Sequence, residues 1–298
     1  MNARPTYLMT DAAQYDVAYQ INPWMRPKVW SADPQANRRA AMAGSTALRA
    51  ALEDSGATVR TIAGVAGLPD LVFPANAGIV LDGKALVARF RHPERRGEEP
   101  HFLEAFEDLK AQGLLSEVTQ IEGCFQEGAG DCIWDAKRAL FWVGSGPRST
   151  PDSVKIIADY FGQKVVHLPL ATEQFYHLDT CFCPLSGGEI LYYPPALTPE
   201  ALARLREIVP ADLLIEATDE DAAAFCVNAV CLDKTVILAM PGQALRDRLT
   251  ALGYEVLGID LAPFILSGGG AFCMTLRLDR MSTDAMVSAP ARAELLAG

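Results

Sequence analysis

The chain is 298 residues long, half of it hydrophobic, with a formal net charge of −11. That is enough apolar material for one large domain or two small ones, and the acidic balance argues against non-specific binding to nucleic acid or to a membrane surface. No run approaches the roughly 18 apolar residues of a bilayer span, and Met1-Asn2-Ala3-Arg4-Pro5-Thr6 lacks the pattern of a secretory signal. Seven cysteines, an odd number, sit in apolar stretches of a chain too long for a disulfide scaffold, so a reduced, cytoplasmic protein is expected. With four histidines and neither CxxC nor HExxH, no metal site is expected. Cys181-Phe182-Cys183 reads as two core thiols on a strand.

In chain order, Tyr7-Leu8-Met9 reads as a short strand, and Asn22-Pro23 marks a turn that leaves an amide beside Trp24. Residues 34–55 form an alanine-rich amphipathic helix with Leu48, Ala51 and Leu52 on one face and Gly56 as its stop. A unit then recurs. Residues 76–90 read as strand, Asp82-Gly83 turn, strand, which is a strong local hairpin signal. The same shape returns at 131–143, 180–193 and 228–238. A fifth copy, 271–278, needs a partner strand from elsewhere, for which the N-terminal strand is the candidate.

Helix-like segments at 100–112, 153–160, 199–208 and 244–252 lie between the copies, each followed by a short apolar strand such as 165–168 or 254–257. The copies start near residues 76, 131, 179, 228 and 271. An array of one supersecondary unit at such a period predicts a closed ring. The expected fold is a five-bladed, pseudo-symmetric α/β-propeller, with residues 1–298 as a single domain.

A ring gathers the starts of its hairpins around one axis. Standing there are Asn76, Glu127-Gly128-Ala129-Gly130-Asp131, His177-Leu178-Asp179, Asn228, and Gly268-Gly269-Gly270 ahead of Cys273. A purely structural ring would put apolar residues at those places. A thiol and an imidazole on different copies, with acids nearby, is the set for covalent catalysis by a thiolate. The glycines let Cys273 reach into a cleft instead of a core. On a strand, Asp179 would share a face with His177, to orient the ring or to meet a cationic substrate. His92, His101 and His167 lack such surroundings. Glu127 and Asp131 in an apolar ring call for a cation, read as the substrate. An Arg in the 94–99 run, or Arg148 framed by Gly and Pro, is able to take a carboxylate bidentately. The 94–99 run otherwise reads as a solvated charged surface. An amino acid with a guanidinium side chain satisfies both ends.

These motifs resemble those of the guanidino-group-modifying superfamily: dimethylarginine dimethylaminohydrolases, arginine deiminases, arginine dihydrolases and amidinotransferases, which share the pentein propeller. The resemblance runs almost end to end, through Asn22-Pro23-Trp24-Met25, residues 69–78, Glu94-Arg95-Arg96-Gly97-Glu98, residues 127–131, His177-Leu178-Asp179 and residues 268–273. It implies Cys273 as the nucleophile on the guanidinium carbon, through an S-alkylthiouronium intermediate, and His177 as acid and then base. It further implies that Glu127 holds the guanidinium, that Arg95 and Arg148 hold the α-carboxylate, and that Asn22, Asp70, Phe73, Asn76 and Asp179 complete the pocket. Neither metal nor organic cofactor is implied.

Asn76 stands where dimethylarginine hydrolases and deiminases often carry a carboxylate. In its Ala-Asn-Ala-Gly setting it looks like the arginine dihydrolases, whose catalytic domain goes on to decompose the ureido product. The long C-terminal extension of the bifunctional cyanobacterial members is not expected here. The expected activity is hydrolysis of Nω-methylated arginine or arginine to citrulline or ornithine, with release of amine or ammonia. Amidino transfer to an amine and a non-catalytic amino-acid-binding ring are the alternatives. The expected partner is a small guanidino compound, without nucleic acid or membrane, and a homo-oligomer is an open possibility.

Overall fold

The structure, a computed structural model, describes residues 4–283. Among them the strands form five three-stranded sheets of one pattern: an antiparallel hairpin whose second strand pairs in parallel with a third. The hairpins are Gly78–Leu81 with Lys84–Val87, Cys132–Asp135 with Leu140–Ser145, Phe182–Pro184 with Ile190–Tyr192, and Val230–Leu232 with Thr235–Ala239. Their third strands are Glu117–Gln120, Lys164–Pro169, Leu214–Glu216 and Glu255–Ile259. The remaining sheet joins the first and last strands among the described residues. Thr6–Thr10 pairs antiparallel with Leu276–Arg277 and in parallel with Thr58–Ile62, so the expected partner of the last copy is the N-terminal strand.

Local chemistry explains the hairpins. Asp82 and Gly83 both take positive φ, 54° and 73°, the backbone twist that a two-residue hairpin turn requires. The long helix Pro34–Asp54 starts where the Asp33 carboxylate accepts from the amide of Ala36, with proline in the first turn. It ends before Gly56, which sits at φ 92°.

Each sheet is covered by the helix that precedes its third strand. Pro34–Asp54 lays Leu48 and Leu52 against Tyr7, Met9 and Val59. Glu99–Ala111 puts Phe102 and Phe106 on Ala85 and Val87. Ile157 of Ser153–Phe161 packs with Phe141 and Val143, and Leu205 of Pro199–Ile208 with Leu168 and Tyr192. Leu245 and Leu249 of Gln243–Ala251 cover Val236 and Leu238. Fully burying each such side chain contributes about 1.5–3 kcal/mol.

Two departures from the sequence reading matter for the site. The last copy was expected as a strand over 271–278, but only Leu276–Arg277 is one. Residues 271–274 form a turn, in which Met274 N donates to Gly270 O and Thr275 N to Phe272 O. Those bonds occupy the backbone that a ladder would need. Secondly, three hairpins are entered through single 3₁₀ turns, Pro74–Ala77, Gly128–Gly130 and Leu178–Thr180, each packed against the next. The turns, not the strands, present the polar residues.

Candidate active site

Cys273 is 2% exposed and sits in the turn after the glycines. Its thiol donates to Asp179 Oδ2 at 3.2 Å, and its sulfur accepts from Asn228 Nδ2 at 3.1 Å. Asn228 Oδ1 accepts from the amides of Phe272 and Cys273 at 3.0 and 3.1 Å, and Nδ2 also donates to Asp179 O. One amide thus fixes both the backbone and the sulfur of the thiol residue. Burial, and then the charge of Asp179, push the thiol well above its ordinary pKa. Asp179 is itself raised to about 7, because burial outweighs His177 nearby and the hydrogen bond from Cys273.

The imidazole of His177 is fully buried. Its Nε2–H donates to Glu127 Oε2 at 2.8 Å, and Nδ1 lies 3.5 Å from Asn76 Nδ2. Glu127 Oε2 also receives Arg148 Nη1 at 2.9 Å, and Oε1 receives the amide of Arg91. Burial opposes ionisation of Glu127, but Arg148 and then His177 prevail and hold its carboxyl well below the usual range. The carboxylate that orients the imidazole is therefore Glu127. Asp179, expected to share a strand face with His177, sits in a 3₁₀ turn and its carboxylate turns to the thiol.

The remaining predicted residues divide by what they touch. Asp70 Oδ2 accepts from Tyr19 at 2.9 Å, while Oδ1 is buried without a hydrogen-bond partner. Burial raises the Asp70 carboxyl despite Arg95 and Tyr19. Asp179 Oδ1 and Arg148 Nε are likewise buried and unpartnered. Asn76 Oδ1 accepts from Arg95 Nη1 at 2.8 Å. Arg95 makes a bidentate pair with Glu98, through Nε at 2.9 Å and Nη2 at 2.8 Å, and stacks on Phe90. Arg148 lies over the ring of Tyr176.

Asp131 is committed within the protein: Oδ1 accepts from Leu178 N and Oδ2 from Ser149 Oγ. It braces the turn that follows His177. Asn22 is a turn lock, with Oδ1 on the amides of Trp24 and Met25 and Nδ2 donating to Ser267 O. Phe73 packs on the glycine run so closely that a Cβ on Gly269 would stand 2.1 Å from its ring.

The solvated surface expected over 94–99 holds for Glu94 and Arg96 but not for Arg95 or Glu98, which are 2% and 0% exposed. Spacing i, i+3 across Pro93–Arg96 and the following turn puts that pair on one inner face. Asn228, Glu98 and Tyr19 are the side chains around the site that sequence reasoning did not assign. Asn228 carried a signal, since it opens its copy as Asn76 opens another.

The chain is similar to proteins already known. The profile of a family described as N,N dimethylarginine dimethylhydrolase, eukaryotic, matches residues 4–280. A bifunctional arginine dihydrolase/ornithine cyclodeaminase of Synechocystis sp., ArgZ, is 38% identical over 271 residues, 91% of this chain; the chain spans 37% of that relative's length. An N(G),N(G)-dimethylarginine dimethylaminohydrolase of Mycobacterium tuberculosis is 33% identical over 272 residues, covering 91% of this chain and 85% of the relative. The crystal structure of a cyanobacterial ArgZ N-terminal domain, in a variant covalently bound to a reaction intermediate, superposes with a TM-score of 0.87 at 36% identity, over 93% of this chain and 99% of that one. The chain belongs to the N,N dimethylarginine dimethylhydrolase family.

Proposed function

We propose that this protein is a cysteine-dependent hydrolase of a guanidino amino acid, L-arginine or an Nω-methylated L-arginine, working through a covalent S-alkylthiouronium on Cys273. One observation carries the reading. The thiol donates to Asp179, while Asp179 Oδ1 and Asp70 Oδ1 are buried acceptors lacking a donor. A guanidinium brings donors on a rigid planar fork to both. Arg148 Nε, buried and unpartnered, is the matching donor for a carboxylate.

The chemistry follows from the contacts. Burial and the Asp179 charge keep Cys273 protonated; an entering cation offsets that charge and favours the thiolate. The thiolate forms a C–S bond to the guanidinium carbon. The proton lost by the thiol passes to His177 through the bound substrate; as the C–N bond breaks, His177 delivers that proton and the nitrogen leaves as ammonia or a methylamine. His177 then takes a proton from water, hydroxide adds to the thiouronium carbon, and the C–S bond breaks to give a ureido group and the free thiolate. A placed imidazole supplies about 10²–10⁴-fold in such steps. Glu127 holds its orientation and steadies the charged ring. Asn76, an amide 3.5 Å from His177 Nδ1, favours arginine as substrate and a second hydrolytic round at the ureido carbon, which ends at ornithine with the terminal nitrogen leaving as ammonia and the carbon as carbon dioxide; ArgZ, named an arginine dihydrolase, supports that choice.

The same reading takes the five sheets as blades of one closed propeller and one domain. Its support is that the leading strands of all five line a common cavity through Val80, Ile133, Phe182, Val230 and Leu276. All seven cysteines are free, in keeping with a cytoplasmic setting.

The test is a product assay on L-arginine, monomethylarginine and dimethylarginine, scoring citrulline, ornithine, ammonia and methylamines. Mass spectrometry of the quenched protein accompanies it. An adduct on Cys273 that accumulates in His177→Ala is expected. Absence of adduct and products with all three compounds rejects the hydrolase.

A further inference from the structure

The cavity lined by the five leading strands is separate from the reacting groups: none of Cys273, His177, Glu127 or Asp179 lines it. It offers about 80 Å³, several times the ~10–15 Å³ that a single water needs. Its walls are mostly apolar, and two features break that surface.

Trp134 lines it, is 8% exposed, and has a buried indole Nε1–H with no hydrogen-bond partner. A buried donor without an acceptor is costly, so an acceptor belongs there. Arg277 and Arg280 also line it. Arg277 is paired with Asp279 at 2.8 Å and lies over the ring of Tyr7. The guanidinium of Arg280 has neither hydrogen bond nor ion pair among the described residues. Burial, and then the neighbouring Arg277, lower its pKa; Asp279, which raises it, is already paired with Arg277.

We propose that this cavity is a binding site for a small monocarboxylate with a branched or aromatic hydrocarbon body. The carboxylate pairs with Arg280 and accepts from Trp134 Nε1–H, and the hydrocarbon packs among Val80, Phe182 and Val230. A cation is repelled by Arg280, a neutral molecule leaves that charge unmatched, and an inorganic oxyanion leaves the apolar wall empty.

Isothermal titration of the full chain with isovalerate and with benzoate tests the site, with isovaleramide as the uncharged isostere. Saturable one-to-one binding is expected, about tenfold tighter for isovalerate than for isovaleramide, the worth of one charge-assisted contact. Arg280→Met removes that advantage, and Val230→Trp, which fills the cavity, abolishes binding. Trp134→Phe gives a smaller loss and serves if Val230→Trp does not fold. Three outcomes overturn the proposal: no saturation by either acid, equal affinity in Arg280→Met, or competition with L-arginine. Binding is read without turnover, so its failure leaves the proposed hydrolysis standing.

Discussion

At Cys273, one neighbouring amide controls backbone and sulfur together, because Asn228 Oδ1 holds two consecutive amides while Nδ2 donates to the thiol. Asn228 acts through Cys273, so its loss belongs in kcat more than in KM. A misplacement of about 1 Å costs on the order of 10²-fold, and Asn228→Ala is expected to lower kcat by about that much. The rate of iodoacetamide alkylation at Cys273 should shift with it. Asn228→Asp keeps the acceptor and should recover part of the loss; equal defects in both variants would point to general misfolding.

Asp179 carries a pH dependence whose sign is fixed by burial. Its folded-state pKa of about 7 lies above the unfolded carboxyl value of about 3.9. The folded protein therefore binds the extra proton in between. The stability that Asp179 contributes is complete below that lower value and is lost as pH rises through about 7. The melting temperature of the free protein should fall across this window, and Asp179→Asn should flatten the slope. Activity runs the other way, with kcat/KM rising through about pH 7 as the carboxylate that meets the guanidinium forms. Glu127, held low by Arg148 and His177, stays ionised throughout the same window.

On the scale of elements, the 3₁₀ turns that enter the hairpins pack together so closely that Gly130 has no room for a side chain. A Cβ on Gly130 would lie 2.4 Å from Asn76 Nδ2 and 3.3 Å from His177 Nδ1. Gly130→Ala is expected to cost about 1–3 kcal/mol in stability and to lower turnover with it, measured by denaturant melts and by kcat. Leu48→Ala, in the covering helix Pro34–Asp54 and without a polar contact to the site, gives the contrast. Its side chain is fully buried, so about 2–5 kcal/mol should be lost, with kcat and KM unchanged at a temperature where the variant is folded. The first hairpin was legible because its Asp82-Gly83 turn between apolar runs acts within a few residues, and the others because they repeat its apolar pattern. The short strand after Cys273 was misjudged in extent, since its apolar alternation is equally served by a turn whose backbone bonds to itself.

For the whole molecule, the central strand of the sheet that joins the first and last described strands is the critical one. Thr6–Thr10 lies between Leu276–Arg277 and Thr58–Ile62, and Leu276 is three residues past the thiol. Removing residues 4–10 alters no predicted site residue, yet it should abolish turnover and raise the alkylation rate of Cys273 as the turn loosens. Near-UV circular dichroism should lose its aromatic signal in the same variant. Full activity after that truncation would contradict the dependence of the site on this pairing.

The amino-acid sequence by itself determined the repeating unit, the hairpin turns, the covering helices and the small set of polar residues at the hairpin entries. Each is written in short-range terms: turn dipeptides, helix periodicity, a cap, or one position compared across copies. Only the tertiary structure decided the partners. Glu127, fifty residues from His177, takes the imidazole; Asp179 takes the thiol from ninety-four residues away; Arg95 closes on Glu98 inside a run that looked solvated. Which acid meets which base depends on the distance between turns and on how far burial shifts each ionisation, and neither quantity exists until the chain has closed around them.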